Sequence, residues 1–141
     1  LFPNQLVDAQ VLQVNNGASM IAINENQKTF SMIPLPYQLQ LSSVNAIAID
    51  DFNGDGIKDI LTAGNFIDLL PQFCSIDASY GNLLLGKGKN QFELSTPQRS
   101  GISINGQIRQ ILPVTVQQKP GYLFLQNNQV PLYFTKTVAG K

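Results

Sequence analysis

The apolar runs of this sequence are mostly short, and turn-forming residues separate them. Asn, Gly, Asp or Pro bound each run, which is the sequence signature of β-strands. No segment keeps an apolar stripe with a helical period beyond about two turns, so helices should be few. The sequence therefore predicts an all-β fold. The predicted strands include Met20–Ile23, Val44–Ile49, Leu83–Leu85, Ile108–Val116 and Tyr122–Leu125.

One loop carries a regular set of oxygen donors, with the pattern D-x-N-x-D-G-x-x-D at residues 51–59. Hard cations such as Ca²⁺ take about six to eight oxygen ligands, which alternate side chains of a tight loop can supply. Four of the nine acidic residues crowd into residues 50–59. Such crowding costs free energy unless a cation neutralises the charges. We therefore predict a calcium site. Its predicted ligands are Asp51, Asn53, Asp55, Ile57 (through its carbonyl) and Asp59.

Three other types of loop share part of this pattern. Asn-Gly and Asp-Gly favour plain hairpin turns, but a plain turn does not require Asp51 and Asp59 at ligand spacing. An EF-hand has Glu at its twelfth position and helices on both sides, whereas here the twelfth position is Thr62 and residues 46–49 predict a strand. A dockerin-type loop would also need a helix and a second acidic copy. The loop is therefore predicted to lie between strands.

The sequence contains a repeat with an offset of 62 residues, which aligns residues 20–51 with residues 82–113. Phe30 then meets Phe92, each after a turn-rich stretch. Each unit holds about four short strands in ~60 residues, which is typical of a propeller blade. We therefore predict a partial β-propeller of about two to three four-stranded antiparallel blades, which need not all be complete.

The repeat divides the chain, a single propeller segment of 141 residues, into three units. Residues 1–40 are predicted to be the end of a preceding blade, and residues 41–97 a blade with the calcium loop. Residues 98–141 are predicted to be a degenerate blade without that loop, since Pro113 stands where the second unit has Asp51. The sequence therefore predicts one calcium site.

The segment around the acidic loop resembles a known repeat. Residues 46–61 (AIAIDDFNGDGIKDIL) are similar to the FG-GAP or VCBS-type repeat of integrin α-subunit propellers and many bacterial surface propellers. Residues 83–92 (LLLGKGKNQF) resemble the later strand and G-x-G-x-x-F turn of that family, with one extra residue. Residues 63–66 and 77–81 resemble the C-terminal repeats of Bacteroidetes-type surface proteins of the ASPIC/UnbV (cartilage acidic protein-like) group. The resemblance implies a calcium-stabilised β-propeller with the same five ligands.

The composition argues against several classes of function. The chain has no His, so a Ser-His-Asp triad is excluded and the commonest general base is missing. Nine basic residues balance nine acidic ones, so no overall field attracts nucleic acid. No apolar run approaches the ~18 residues of a membrane span. Cys74 is the only cysteine and is predicted to be a half-buried apolar residue. We expect a protein that is not an enzyme.

The polar character comes from amides, with 15 Gln and 13 Asn against 13% charged residues. Such a surface suits a secreted or cell-surface β protein, which in a bacterium would be outer-membrane-associated or periplasmic. The chain starts at Leu1 without a leader, so we expect a processed protein or a piece of a longer one. Its expected role is structural stabilisation and adhesive recognition of a protein or glycan.

Two alternative functions remain open at this point. The chain could be the accessory propeller of a larger carbohydrate-active enzyme. It could instead be a carbohydrate-binding module in which Tyr37, Tyr80 or Tyr122 stacks on sugar. In every case we expect self-association or packing on other blades, because a few blades alone leave strand edges open.

Overall fold

The structure is a computed structural model that describes residues 10, 12–70, 72 and 74–136. Within these residues it contains nine strands and two one-turn helices, so the prediction of an all-β fold is confirmed. The strands are β1 (Met20–Asn24), β2 (Phe30–Pro34), β3 (Val44–Asp50), β4 (Asp59–Gly64), β5 (Asn82–Gly86), β6 (Phe92–Leu94), β7 (Ile108–Val116), β8 (Lys119–Gln126) and β9 (Leu132–Thr135). A 3-10 helix spans Tyr37–Gln40, and an α-helical turn spans Pro97–Ser100. No helix in the described part of the chain is long and apolar enough to cross a membrane.

The strands form three antiparallel sheets, each in chain order. Sheet 1 contains β1 and β2, sheet 2 contains β3 to β6, and sheet 3 contains β7 to β9. Among the described residues only sheet 2 has four strands, and it lies within the predicted unit 41–97. The outer ends of the other two predicted units, residues 1–9, 11 and 137–141, lie outside the described residues.

The two strands of sheet 1 have counterparts in sheet 2 at the same interval along the chain. β1 begins 62 residues before β5, and β2 begins 62 residues before β6. In both hairpins a five-residue turn joins the two strands, residues 25–29 in the first and 87–91 in the second. Sheet 1 therefore repeats the last two strands of sheet 2.

Sheets 2 and 3 share a second set of matching features. The β3–β4 ladder has a bulge after Val44, and the β7–β8 ladder has one after Ile108. Asn65 and Asn127, which directly follow β4 and β8, each donate their backbone N–H to the carbonyl of the residue before β3 or β7. Sheet 3 therefore repeats the first three strands of sheet 2.

The two hairpins differ in the connection that joins their strands. Residues 51–58 connect β3 to β4, whereas only Gln117 and Gln118 connect β7 to β8. Both of these glutamines have a positive φ, at 49° and 62°, as expected for the type I′ turns that fit the twist of a tight hairpin. A two-residue turn is too short to supply the donors of a cation-binding loop, so sheet 3 has no counterpart of residues 51–58 between β7 and β8.

The hydrophobic core lies between sheets 2 and 3. Alternate residues of a strand point to opposite faces, and Ala46 and Ala48 of β3 point toward β7. These small side chains let the two sheets approach closely. The buried cluster comprises Ala46, Ala48, Leu61, Ala63, Leu83, Leu85, Ile102, Ile104, Ile108, Ile111 and Phe124.

A long loop connects β4 to β5. Phe66 and Ile76 pair across its base through two backbone hydrogen bonds, of 2.8 and 2.9 Å. Cys74 lies inside this loop and is exposed, so the prediction of a half-buried residue is wrong. The described residues of this loop form no strand that would carry the thiol into the core.

Candidate metal centre

The acidic loop joins the ends of two paired strands, β3 and β4. Gly54 and Gly56 have φ angles of +80° and +84°, a region that glycine enters without the Cβ penalty of other residues. A side chain at either position would have open space but a strained backbone. The two glycines therefore allow the chain to coil tightly around the intervening donors.

The carboxylate of Asp51 lies at the centre of this coil. Its Oδ1 accepts backbone N–H groups from Gly54 at 2.7 Å and Asp55 at 3.1 Å, and its Oδ2 accepts that of Gly56 at 2.9 Å. These bonds, that of Gly56 above all, lower the pKa of Asp51 below its ordinary value. Asp51 is therefore held ionised at a fixed position.

Asn53 and Asp55 fold back on the same turn. The backbone N–H of Asp55, which bonds to Asp51, also bonds to Oδ1 of Asn53 at 2.9 Å. The Asn53 amide donates to Asp55 Oδ2 at 2.8 Å, and Asp55 Oδ1 accepts the N–H of Ile57 at 2.8 Å. Such Asx-turn bonds order a loop locally. The first three predicted donors thus surround one turn.

Asp59 is the first residue of β4, and its side chain is fully buried at 0% exposure. Its Oδ2 accepts the N–H of Phe52 at 2.8 Å, and its Oδ1 accepts the N–H of Gly86 at 2.8 Å. A buried carboxylate is tolerated only when hydrogen bonds or ions compensate it. Asp59 therefore fastens the start of the loop to the end of β5, a structural role that the sequence did not predict.

Gly86, the last residue of β5, packs against the end of the acidic loop. A Cβ at this position would collide with the carbonyl of Lys58 and would lie 2.7 Å from the Ile57 side chain. Only glycine lets β5 approach the end of the loop so closely. This contact holds the backbone of Lys58, next to the predicted carbonyl ligand Ile57. The only sequence signal for it was the first glycine of the G-x-G turn.

The loop brings its donors into one hairpin but does not gather the carboxylates at a point. In the described part of the chain, no three acidic side chains converge closely enough to form a metal cluster. Asp51, Asp55 and Asp59 instead accept N–H groups of the backbone. An ionised carboxylate has about four acceptor sites, so these bonds leave lone pairs free. Carboxylate, amide and main-chain oxygens are the donor types that Ca²⁺ takes, so the five residues match that ion in their chemistry.

Asp50, the acidic neighbour of the loop, has other partners. Its carboxylate accepts the Tyr122 hydroxyl at 2.7 Å, and lies 3.2 Å from Lys136 Nζ and 3.5 Å from Lys58 Nζ. The Tyr122 bond is the main cause that lowers the pKa of Asp50 to about 2. Asp50 thus joins the end of β3 to sheet 3. No local sequence pattern indicates this bond, because the two residues are 72 positions apart.

The three candidate tyrosines lie in different surroundings. Tyr122 is half-buried, and its ring lies 5.0 Å from that of Phe52. Its pKa is raised, mainly by burial and next by the hydrogen bond to Asp50. Tyr37 and Tyr80 are 73% and 50% exposed. Tyr122 is therefore part of the packing between sheets, and only the other two present a free surface.

We expect stability to depend on the Asp50–Tyr122 bond at low pH. Because the pKa of Asp50 is about 2 in the fold against an ordinary 3.8, its ionised form stabilises the fold above about pH 4, and this is lost as the pH falls toward about 2. Tyr122→Phe should lower the free energy of unfolding by about 1.5 kcal/mol at pH 7 and reduce that acid loss. Urea unfolding with chelator, over a series of pH values, measures both effects.

Tyr133→Phe is the matched control, because the Tyr133 hydroxyl donates to the Lys119 carbonyl at 2.9 Å in an exposed position. It should leave the acid dependence unchanged. An acid dependence in Tyr122→Phe equal to that of the unmodified chain would contradict the assignment of Asp50.

Comparison with known proteins adds no assignment to this geometry. No protein-family model matches the chain, and neither a curated protein nor a solved structure matches it. The candidate site is therefore defined by the residues and contacts of the loop itself.

Proposed function

We propose that the chain is a calcium-binding segment of a β-propeller of FG-GAP or VCBS type, in a secreted or cell-surface protein, and that it is not an enzyme. One observation carries this proposal. The five predicted donors lie in or at the end of one connection between two paired strands, and a calcium loop between strands is what the resemblance implies. The 62-residue spacing that relates β1 and β2 to β5 and β6 supports a stack of similar sheets.

In this proposal the ligands are the side chains of Asp51, Asn53, Asp55 and Asp59 and the carbonyl of Ile57. A bound calcium ion would supply positive charge to carboxylates that otherwise repel each other. Asp59 also bonds to the end of β5, so ion binding is linked to the packing of three strands. The binding free energy therefore adds to the free energy of folding.

The proposed biological role is structural stabilisation and adhesive recognition of a protein or glycan. Exposed Tyr37 and Tyr80 favour a second candidate, a carbohydrate-binding module, because exposed aromatic rings can stack on sugars. Binding on a glycan array that Tyr37→Ala or Tyr80→Ala removes would favour that module. Tyr122 does not suit this role, since its hydroxyl and ring are engaged within the protein.

Chelation of calcium is expected to lower the melting temperature. With a dissociation constant of about 10⁻⁴ to 10⁻³ M, as in extracellular modules, 10 mM calcium adds about 1.4 to 2.7 kcal/mol to the free energy of unfolding. For a chain of this size that corresponds to about 5 to 10 °C. Thermal melts in 10 mM calcium and in excess chelator measure the difference.

Asp55→Ala should abolish this difference while changing the melt in chelator little, because Asp55 is exposed and its bonds are local. Glu25→Ala, which removes an acid from the turn of the β1–β2 hairpin, is the charge-matched control and should keep the difference. Identical melts with and without chelator would refute the calcium site.

A further inference from the structure

The face of sheet 2 that points away from sheet 3 is covered unevenly. Leu84 of β5 is fully buried on this face, and it lines a cavity of about 490 Å³ together with Ile21 and Ile33 of sheet 1. Ile47 and Ile49 of β3, which point to the same side, are 58% and 64% exposed. Sheet 1 therefore lies beside the β5 half of this face, and the β3 half is open.

The internal repeat identifies what kind of surface is open. The β3–β4 and β7–β8 ladders can be aligned on their bulges. In this alignment Ile47 and its partner Thr62 correspond to Ile111 and its partner Phe124 in sheet 3. Ile111 is 6% exposed and Phe124 is 0% exposed, because sheet 3 packs this face onto sheet 2. The face around Ile47 is therefore the counterpart of a sheet-packing face.

One edge of β1, beside this surface, pairs with no strand in the described part of the chain. β1 corresponds to β5, and β5 pairs with β4 on one edge and with β6 on the other. Among the described residues β1 pairs only with β2. In the packed pair of sheets, β7 lies directly against its counterpart β3. Two strands added to the free edge of β1 would by the same geometry lie over β4 and β3.

We propose that the open edge of β1, Met20–Asn24, and the exposed side chains of Ile47 and Ile49 form one docking site for a β-hairpin of the same repeat type. The hairpin completes sheet 1 as a four-stranded sheet. Unpaired strand edges bind extended chains through their main-chain groups, and side-chain pockets select among them. The site rests on the proposed stack of sheets and is independent of calcium.

The interface between sheets 2 and 3 defines the chemistry of the hairpin. The side chains of sheet 2 that share the buried cluster with Ile111 and Phe124 include Ala46, Ala48 and Ala63, each no more than 9% exposed. The partner hairpin therefore carries small apolar residues at the equivalent positions, which leave room for Ile47 and Ile49. A hairpin with large or charged residues at these positions would not pack against Ile47 and Ile49.

A peptide of residues 43–66, which is the β3–β4 hairpin of this chain, is the probe. The full chain is mixed with it in chelator, and hydrogen exchange is followed at each amide. We expect exchange of β1 amides to slow at least about tenfold at saturating peptide, as pairing of an edge requires. Ile49→Asp in the full chain should weaken peptide binding at least about tenfold, because it buries an unpaired charge.

Two controls distinguish binding at this site from non-specific hydrophobic binding. Val116→Asp changes an exposed apolar residue at the end of β7, which is 46% exposed, and should bind the peptide normally. A peptide with Ala48→Asp should not bind. Unchanged β1 exchange, slowing confined to the β9 edge, or full binding by Ile49→Asp would overturn the proposal.

Sedimentation equilibrium of the chain alone tests the rival occupant. A concentration-dependent dimer that Ile49→Asp abolishes would assign the face to a second copy and overturn the hairpin proposal, whereas a monomer without peptide agrees with it. Because these measurements use chelator, failure of the calcium site leaves their outcome unaffected, and the two failures are distinguishable.

Discussion

Asp59→Ala is expected to lower the free energy of unfolding by about 3 kcal/mol even in chelator, which corresponds to a fall of about 10 °C in melting temperature. The carboxylate is fully buried and accepts the backbone N–H groups of Phe52 and Gly86, both at 2.8 Å. Its removal leaves both donors without a partner, and each buried unsatisfied donor costs about 1 to 3 kcal/mol. Chemical denaturation in chelator measures the loss.

Asp55→Ala is the control for this experiment, since both residues are predicted ligands but Asp55 is exposed. In chelator it should cost less than about 0.5 kcal/mol, as most exposed substitutions do. Asp59→Asn retains one acceptor oxygen and should fall between the two variants. Equal stabilities of Asp59→Ala and Asp55→Ala in chelator would show that Asp59 has no structural role.

Asn65→Ala is expected to cost about 3 to 4 kcal/mol. Asn65 is 1% exposed, and its amide donates to the carbonyls of Ser79 at 2.7 Å and Gly106 at 3.0 Å. Its Oδ1 accepts the Ser79 N–H at 2.9 Å and the Ser42 hydroxyl at 2.7 Å. The side chain therefore joins the start of sheet 2, the long loop and the segment that leads into sheet 3.

Asn65→Gly separates the contribution of the side-chain hydrogen bonds from the cost of the backbone conformation. Asn65 has a φ of 80°, which alanine adopts only at a cost of about 1 to 2 kcal/mol and glycine adopts freely. The glycine variant should therefore be more stable than the alanine variant by about 1 kcal/mol and still far less stable than the unmodified chain. A glycine variant as stable as the unmodified chain would show that the four hydrogen bonds contribute nothing. Urea unfolding of the three proteins decides between these outcomes.

The strands could be predicted because their signals are local. The apolar run Ile108–Val116 gave the bounds of β7, and the apolar runs at Met20–Ile23 and Val44–Ile49 gave β1 and β3 to within one residue. The position of the acidic loop between strands followed from the alternation at residues 46–49. The offset of 62 residues also agrees with the spacing of β1 and β5.

The contacts that hold the candidate site could not be predicted, because they join distant parts of the chain. Asp59 was identified as a ligand from its spacing, but its burial depends on β5, 27 residues away at Gly86. The partner of Asp50 is 72 residues away at Tyr122. No local pattern encodes such pairs, since they depend on which sheets pack together. The exposure of Cys74 depends instead on the path of the loop between β4 and β5.

The loop therefore combines two kinds of residue. Asp51, Asn53 and Asp55 bond within the loop and leave most of the fold unaffected, so their variants should act mainly through calcium. Asp59 bonds to the adjoining sheet, so its variants should act with and without calcium. This difference allows ligand loss and structural loss to be told apart by comparing variants in chelator.

Calorimetric titration of the full chain with calcium tests the proposed site most directly. We predict binding of one calcium ion per chain, with a dissociation constant of about 10⁻⁴ to 10⁻³ M, much weaker binding of magnesium, and no binding in Asp55→Ala. Absence of binding by the folded chain, or equal binding by Asp55→Ala, would contradict the assignment of residues 51–59 as a calcium loop.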